Sequence, residues 1–435
     1  MFIPESAEIP IETRPAGYAG KYVWVIFALT FCLLLSDYMS RQVLNAVFPH
    51  LKAEWVLSDA RLGMLSGIVS FAVGVLAFPL SLLADRWGRI KSLVLMAALW
   101  SLATLGCALA QNFEQMLVAR FLVGVGEAAY GSVGLAVVLS VMPLRLRATI
   151  TGMFLAGGMV GSVIGISLGG LIAANLGWRP AFAGMAAFGL ALTILYPFVV
   201  KEKSIASLRA RINDAQDAKT THRPGLKTLI DSRSVICAYI GSGVQVFISG
   251  ALLAWLPSYL NRAYSMPVAK AALVAAVFVL SSAAGMTIFG NISDRFGNHS
   301  PSKKLSLAVA YCVSCFVLLS VAFQLPPGMP QLVLIGCGMF VGAGTVGPAG
   351  AMVANLTPAP LHGTAFATLS LANNLLGLAP GPIVVGLLAD AYGLTTALQL
   401  VPFVSLISAA TFALAMRVYR RDLVQAGVRA QAEAA

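Results

Sequence analysis

Twelve runs of apolar residues divide the chain, and each is long enough to cross a membrane as a helix, which needs about 20 residues. No run alternates with the two-residue period of a membrane β-barrel strand. Backbone polar groups within a bilayer must be hydrogen-bonded inside their own segment, so helices are predicted. The predicted spans are residues 23–48, 62–84, 92–111, 115–142, 149–174, 178–200, 233–260, 268–291, 304–324, 331–355, 363–389 and 395–417.

The composition narrows the class of protein further. Hydrophobic residues make up 58% of the 435 residues and charged residues 11%, and the mean hydropathy is +0.84. A soluble domain carries about 25% charged residues. We therefore expect an all-α polytopic membrane protein, and we exclude a soluble enzyme, a disordered chain and a disulfide-stapled secreted domain. The six cysteines all fall in apolar runs and are expected to be free.

Lysine and arginine residues are unevenly distributed among the predicted loops. If both termini lie in the cytoplasm, 22 of the 29 basic residues fall in cytoplasmic segments and five fall outside, while Arg41 and Arg120 lie within spans. Basic residues collect on the cytoplasmic side of membrane proteins, so we predict cytoplasmic termini. The net charge of +12 then reflects topology, and no nucleic-acid partner is expected.

A polar segment and a repeated motif divide the chain into halves. We predict one six-helix bundle in residues 1–200, a charged cytoplasmic linker in 201–232 and a second six-helix bundle in 233–435. The sequence Asp-Arg-Trp-Gly at 85–88 returns as Asp-Arg-Phe-Gly at 294–297, offset by 209 residues, after the second span of each half. A duplicated six-helix unit is one known plan for transporters.

Two segments of the first half resemble a known family. The loop from Asp85 to Arg89 resembles the signature that the major facilitator superfamily carries between helices two and three. The segment 120–130 resembles the spinster branch, and its Arg and Glu seven residues apart are also typical of the anion–cation symporter branch, which imports sugar acids and other organic anions. Both branches often have adjacent Asp-Arg in helix one, where this chain has Ser40-Arg41 with Asp37 one turn earlier. The resemblance implies the twelve-helix major facilitator fold and secondary transport.

Four charged residues stand out in the interior of the predicted spans, where charge is costly and is a functional signal. Asp37 and Arg41 share a face of the first helix, as Arg120 and Glu127 do on the fourth. Counted from the predicted helix ends, the arginines match in depth and so do the carboxylates. We predict one cluster in which the arginines bind a substrate anion and Asp37 and Glu127 carry protons. The alternative is that the charges only neutralise one another and lock two helices together.

The second half offers uncharged polar side chains. Gln245, Tyr259, Asn373 and Asn374 are candidate substrate contacts, and each is equally suited to helix packing. Asp390 is expected to be a solvated charge at the cytoplasmic end of the eleventh helix.

Charges of the repeated motif are candidate gate residues, because charges at short turns can pair when one side closes and separate when it opens. The candidate gate residues are Asp85, Arg86, Arg89, Asp294 and Arg295.

We therefore predict a proton-coupled symporter of a small organic anion, a carboxylate, in a bacterial inner membrane. The alternative is a spinster-like exporter of amphipathic lipids or drugs. A receptor or enzyme is a third class, for which no catalytic or metal-binding motif is found. The expected partners are the transported anion or amphipath, protons and membrane lipids. The chain is expected to act as a monomer, with no metal and with no cofactor beyond the proton gradient.

Overall fold

The computed structural model describes residues 18–143, 146–201, 232–297, 301–358 and 361–434. Twelve helices in these ranges are long and apolar enough to cross a membrane. They are α1 (Lys21–Trp55), α2 (Asp59–Ala84), α3 (Arg89–Leu109), α4 (Phe113–Val141), α5 (Thr149–Leu176), α6 (Trp178–Val199), α7 (Arg233–Ala263), α8 (Val268–Ser293), α9 (Lys304–Gln324), α10 (Met329–Leu356), α11 (His362–Tyr392) and α12 (Leu394–Gln425). The all-helical, twelve-span prediction is confirmed. Most of the predicted linker, 202–231, lies outside the described residues.

Two helices extend furthest past the ends that their hydrophobic patterns predict. α1 continues past Phe48 to Trp55 with Pro49 inside it, and the helix of the last span continues to Ala434. The polar residues that follow Phe48 in the sequence mark the end of the apolar run. They do not end the helix, because helical hydrogen bonding does not require apolar side chains.

Three of the later spans contain a change of helical type. Short 3₁₀ turns interrupt α10 at Ala343–Thr345 and α12 at Val401–Phe403. α11 contains a π-helical turn at Asn374–Leu378, followed by Pro380 and Pro382. A proline removes a backbone donor from a helix, and π-helical turns are frequent at functional sites.

The helices form two bundles, α1–α6 and α7–α12, which meet along α2 with α11, α5 with α8, and α1 with α7. Helix backbones approach closely at these contacts. A Cβ atom at Gly63 of α2 would collide with the backbone carbonyl of Pro382 in α11, and one at Gly170 of α5 would collide with the methyl group of Ala272 in α8. Small residues permit such close packing in membranes. Ala272 lies 209 residues after Gly63, so the two contacts occupy equivalent places in the two halves.

The backbone carries the same repeat. Val56, between α1 and α2, has φ = 50°, and Ser265, between α7 and α8, has φ = 51°. These are the positive-φ residues other than glycine in the described chain, and they are 209 residues apart. The duplicated architecture therefore extends to loop conformation. We call the end of the molecule that holds these two loops the outer end, and the end that holds Tyr18 and Lys201 the inner end.

Candidate substrate and proton site

Arg41 of α1 and Glu127 of α4 form an ion pair within the first bundle. The Nε and Nη2 atoms of Arg41 donate hydrogen bonds of 3.0 and 2.8 Å to one oxygen, Oε2 of Glu127. The Glu127 side chain is fully buried, whereas that of Arg41 is 15% exposed. Among the described residues Nη1 of Arg41 has no hydrogen-bond partner. One edge of the guanidinium group is therefore free to bind an anion.

Asp37 completes a group of three charges. It lies one turn before Arg41 on the same face of α1 and interacts electrostatically with both Arg41 and Glu127. Its side chain is buried. Two carboxyl groups thus share one guanidinium group, and a proton on either carboxyl would balance the charge. This arrangement is suited to binding and releasing a proton.

Arg120 interacts electrostatically with Glu127, but its hydrogen bonds go elsewhere. It is fully buried, and its guanidinium nitrogens donate to backbone carbonyls. Nη1 donates to Ser40 at 2.9 Å, Nη2 to Arg41 at 3.1 Å and Nε to Leu65 at 3.3 Å. These bonds tie α4 to α1 and α2. The structure therefore brings together Asp37, Arg41 and Glu127, and it places Arg120 in helix packing. A role for Arg120 in substrate binding stays a prediction.

Two predicted contacts of the second bundle lie in hydrogen-bond networks within that bundle. Gln245 of α7 accepts a hydrogen bond of 2.8 Å from Ser405 of α12. Tyr259 donates to Gln331 of α10 at 3.1 Å, near the outer end. Both residues are buried. These contacts match the packing interpretation of Gln245 and Tyr259, and their role toward a substrate stays a prediction.

Asn373 and Asn374 stand where α11 enters its π-helical turn. Asn373 accepts a hydrogen bond of 2.8 Å from Ser242 of α7. Asn374 donates to the carbonyl of Ser370, one turn earlier, and its Oδ1 atom is buried without a protein partner. Of the four predicted contacts in the second bundle, Asn374 therefore retains an unpaired polar atom.

The candidate gate residues are described only in part. The side chains of Asp85 and Asp294 lie outside the described part of the structure. Arg86 and Arg295 are exposed, and Arg89 is half-buried. All five residues lie at the inner end, as predicted, and their gating role stays a prediction.

A charged network that the sequence did not reveal joins the two bundles at the outer end. Asp59, at the start of α2, accepts hydrogen bonds of 2.8 and 2.7 Å from the Nη1 and Nη2 atoms of Arg262 in α7. Lys52 of α1 contacts the same carboxylate at 2.6 Å. The Asp59 side chain is only 4% exposed. These residues looked in the sequence like ordinary loop charges, because nothing in it indicated that Asp59 and Arg262 are neighbours.

Asp390 corrects the expectation of a solvated charge at the cytoplasmic end. It lies at the outer end of α11 and accepts hydrogen bonds from the backbone N–H groups of Asp59 at 2.7 Å and Ala60 at 2.9 Å. The first N–H groups of a helix have no partner within the helix, and a carboxylate there also interacts with the helix dipole. With α1 running outward, α11 also runs outward, and this direction fixes the position of Asp390. We call Lys52, Asp59, Arg262 and Asp390 the outer lock.

An aromatic contact lies beneath the outer lock. The rings of Phe48 in α1 and Trp255 in α7 are 5.3 Å apart, and both are fully buried. The indole N–H of Trp255 donates to the carbonyl of Pro382 in α11 at 3.0 Å. The outer end is thus closed by charged pairs above and by packed rings below.

The described residues form no metal-binding cluster and no disulfide bond. Within the described ranges, no three His, Cys, Asp or Glu side chains lie close enough together to hold a metal ion. The six cysteines are free.

The fold and the buried charges agree with a family match. Residues 30–379 match the model of the Major Facilitator Superfamily, which is most of the chain. The chain belongs to the Major Facilitator Superfamily. It is an integral membrane protein of that superfamily, and the expectation drawn from its Asp85–Arg89 loop is confirmed.

Individual relatives fall in two groups. The chain is 26% identical over 361 residues to a probable L-galactonate transporter of Escherichia coli strain K12, covering 78% of each chain. It is also 26% identical over 396 residues to protein spinster homolog 1 of Xenopus laevis, covering 86% of this chain and 74% of the relative. The crystal structure of a bacterial homolog of the human lysosomal transporter Spinster, inward-facing and unoccupied, has a TM-score of 0.82 at 18% identity, covering 92% of this chain and 98% of that one. The relatives thus include both a transporter named for an organic acid and spinster proteins.

Proposed function

We propose that the protein is a secondary transporter that imports a small organic anion, a carboxylate, together with protons. The observation that carries this proposal is the Arg41 site. Arg41 is a partly exposed guanidinium group whose Nε and Nη2 atoms are held by buried Glu127, while its Nη1 atom remains available. Arginine binds carboxylates through two parallel hydrogen bonds. A substrate carboxylate would form such a pair with Nη1 and the second N–H of Nη2, on the edge of the guanidinium group that Glu127 leaves free.

Competition for Arg41 gives a mechanism for coupling. When the substrate carboxylate binds the free edge of Arg41, it shares the single positive charge that balances Glu127, while Glu127 remains buried. A buried carboxylate whose charge is no longer balanced is unstable, so Glu127 binds a proton as the anion arrives. Asp37 stands beside the pair and can hold or pass on that proton. Linkage is reciprocal, so protonation favours anion binding to the same degree.

Alternating access requires that one end open while the other closes. The outer end in this structure is closed by the outer lock and by the Phe48–Trp255 contact. The close helix contacts of α2 with α11 and α5 with α8 are suited to act as the axis about which the bundles rock. We propose that substrate and protons enter from the outer end and leave at the inner end, with both termini in the cytoplasm of a bacterial inner membrane.

The relatives support a carboxylate substrate without excluding an amphipathic one. L-Galactonate, in the name of one relative, is a sugar acid whose carboxylate suits Arg41. The spinster relatives keep open the export of amphipathic lipids or drugs as a second function. A lysolipid phosphate would also bind Arg41, so the two functions differ in the body of the substrate and not in its charge.

A ligand-induced melting screen separates these functions. The purified protein is heated with a panel of sugar acids and aromatic carboxylates, and separately with lysolipids. We expect a carboxylate to raise the melting temperature, and we expect Arg41→Lys to lose most of that rise because lysine keeps the charge but lacks the planar pair of donors. The matched control is Arg179→Lys, since Arg179 pairs with Glu54 at the outer surface of the same bundle. Stabilisation by lysolipids alone, or an unchanged response in Arg41→Lys, contradicts the proposal.

A further inference from the structure

Buried polar atoms without protein partners collect around the carboxyl pair. In a folded protein about nine in ten buried polar groups are hydrogen-bonded, and each exception calls for an explanation such as bound water or an ion. Six such atoms come from three neighbouring helices of the first bundle, and all six residues are more than nine-tenths buried. They are Oγ of Ser36, Oδ1 of Asp37 and Oγ of Ser40 on α1, Nε1 of Trp100 and Oγ of Ser101 on α3, and Oε1 of Glu127 on α4.

Two of these hydroxyl groups lie close together, and the helices that carry the other atoms pack beside them. Ser36, Asp37 and Ser40 share one face of α1, since they are three and four residues apart. A Cβ atom added at Gly189 of α6 would collide with the hydroxyls of both Ser36 and Ser101, so these two hydroxyls face each other across that glycine. On α4, a Cβ atom at Gly126 would collide with the backbone and Cβ of Trp100, which sets Trp100 against the residue next to Glu127.

The donor set favours water over a metal cation. Carboxylate and hydroxyl oxygens would suit a sodium ion, which takes oxygen ligands. The indole Nε1–H of Trp100 is only a donor, so it needs an acceptor, which a cation does not provide. Water both donates and accepts, and buried waters typically make about three hydrogen bonds to polar groups that lack other partners.

We propose that ordered water binds inside the first bundle, between Ser36, Ser101, Trp100 and the free oxygens of Asp37 and Glu127. The two carboxyl groups also interact through a direct side-chain hydrogen bond, so a proton leaves an oxygen of one carboxyl group and arrives at an oxygen of the other. The water donates a hydrogen bond to the carboxylate that has given up the proton, and we call this water-assisted transfer the relay. The role of the proton rests on the proposed function. The bound water itself does not.

The ionisable groups that surround this site come from α1, α3 and α4. They are Asp37, Tyr38, Arg41, Cys107, Arg120, Glu127 and Tyr130. Thiol, phenol and guanidinium groups ordinarily ionise above neutral pH, so the two carboxyl groups are the proton carriers of the relay.

Serine-to-alanine substitutions test whether water is bound, because the presence of water decides whether the substitutions lower the stability of the protein. Removing a buried hydroxyl that has no partner is neutral or stabilising, whereas removing one that is bonded to ordered water costs a hydrogen bond. We expect Ser36→Ala with Ser101→Ala to lower the melting temperature by roughly 2 °C or more. The control is Thr104→Val on α3, whose hydroxyl donates to the Trp100 carbonyl at 2.7 Å. An unchanged or higher melting temperature in the serine variant overturns the proposal.

Transport assays test the role of the proton. In proteoliposomes we expect the serine double variant to slow proton-driven accumulation at least five-fold and to retain counterflow exchange at equal pH, while Thr104→Val keeps both. Equal rates for the double variant and the parent overturn the relay.

Two further results distinguish the bound water from the proposed function. A melting temperature that rises with sodium but not with potassium at equal ionic strength assigns the site to a cation and overturns the bound water. A parent protein that shows no proton-driven uptake contradicts the proposed function and the relay, whereas the sign of the melting shift still decides whether water is bound.

Discussion

Asp59→Asn should open the outer end. The variant keeps the shape of the side chain and removes the charge that Arg262 and Lys52 share across 2.6–2.8 Å. An exposed ion pair is worth about 0.2–1 kcal/mol. Asp59 is only 4% exposed and Arg262 is 31% exposed, so the pair is partly desolvated and two charge-assisted hydrogen bonds are weakened. We take its contribution as about 1–2 kcal/mol.

That free energy converts directly into a population shift. Since 1.4 kcal/mol is a factor of ten, the ratio of outer-open to outer-closed molecules should rise about 5- to 30-fold. Asp390 continues to cap α2 in the variant. The contact between the bundles at the outer end is therefore weakened but not lost. If the closed form exceeds the open form by a hundred to one, the open form becomes measurable in the variant alone.

Double electron–electron resonance measures this shift. Spin labels at exposed Gln111 in the first bundle and Lys270 in the second, placed in a cysteine-free background, report the separation of the bundles at the outer end. We expect a longer distance to appear or to grow in Asp59→Asn. The matched control is Arg179→Gln, which breaks an ion pair of the same end within one bundle. An unchanged distance distribution in Asp59→Asn, or an equal change in Arg179→Gln, would refute the lock.

Three further substitutions test the packing. Val56→Gly should raise stability by about 1 kcal/mol, seen as a higher melting temperature, because an 88% exposed β-branched residue at φ = 50° is strained and packs little; a lower melting temperature contradicts this. Arg120→Gln should cost about 3 kcal/mol of stability, because it removes a charged donor from buried carbonyls, and an unchanged melting temperature would contradict this packing role. Gly63→Val should separate α2 from Pro382 and lower both the melting temperature and the transport rate, whereas Gly152→Val, with open space around it, should lower neither; equal effects of the two contradict the close contact.

The membrane spans could be predicted because one physical cause dominates them. Lipid selects long apolar runs, and this selection marks the sequence directly. The predicted span 304–324 coincides with the apolar span of α9, whose helix begins only three residues earlier, at Pro301. The end of α1 was missed because hydropathy follows the side chains, whereas the helix continues by backbone hydrogen bonding through Pro49 to Trp55.

The candidate site could be predicted only where buried charge singled out residues. Arg41, Glu127 and Asp37 stood out in apolar surroundings, and their helical faces brought them together. Arg120 was also singled out as a buried charge, yet its guanidinium group donates hydrogen bonds to backbone carbonyls. The pattern of side chains along a sequence does not indicate which backbone carbonyls lie near a given residue. The outer lock could not be predicted from the sequence, because contact between Asp59 and Arg262 depends on how the two bundles dock.

Proton-driven uptake by Glu127→Gln tests the central claim most directly. Glutamine keeps the size and the hydrogen-bond acceptor for Arg41 but cannot bind and release the proton. In proteoliposomes with an inward proton gradient and a carboxylate identified by the melting screen, we predict that the parent accumulates the substrate above its equilibrium concentration. We predict that Glu127→Gln does not accumulate it, yet exchanges it across the membrane at equal pH. Accumulation by Glu127→Gln at the rate of the parent would contradict the account.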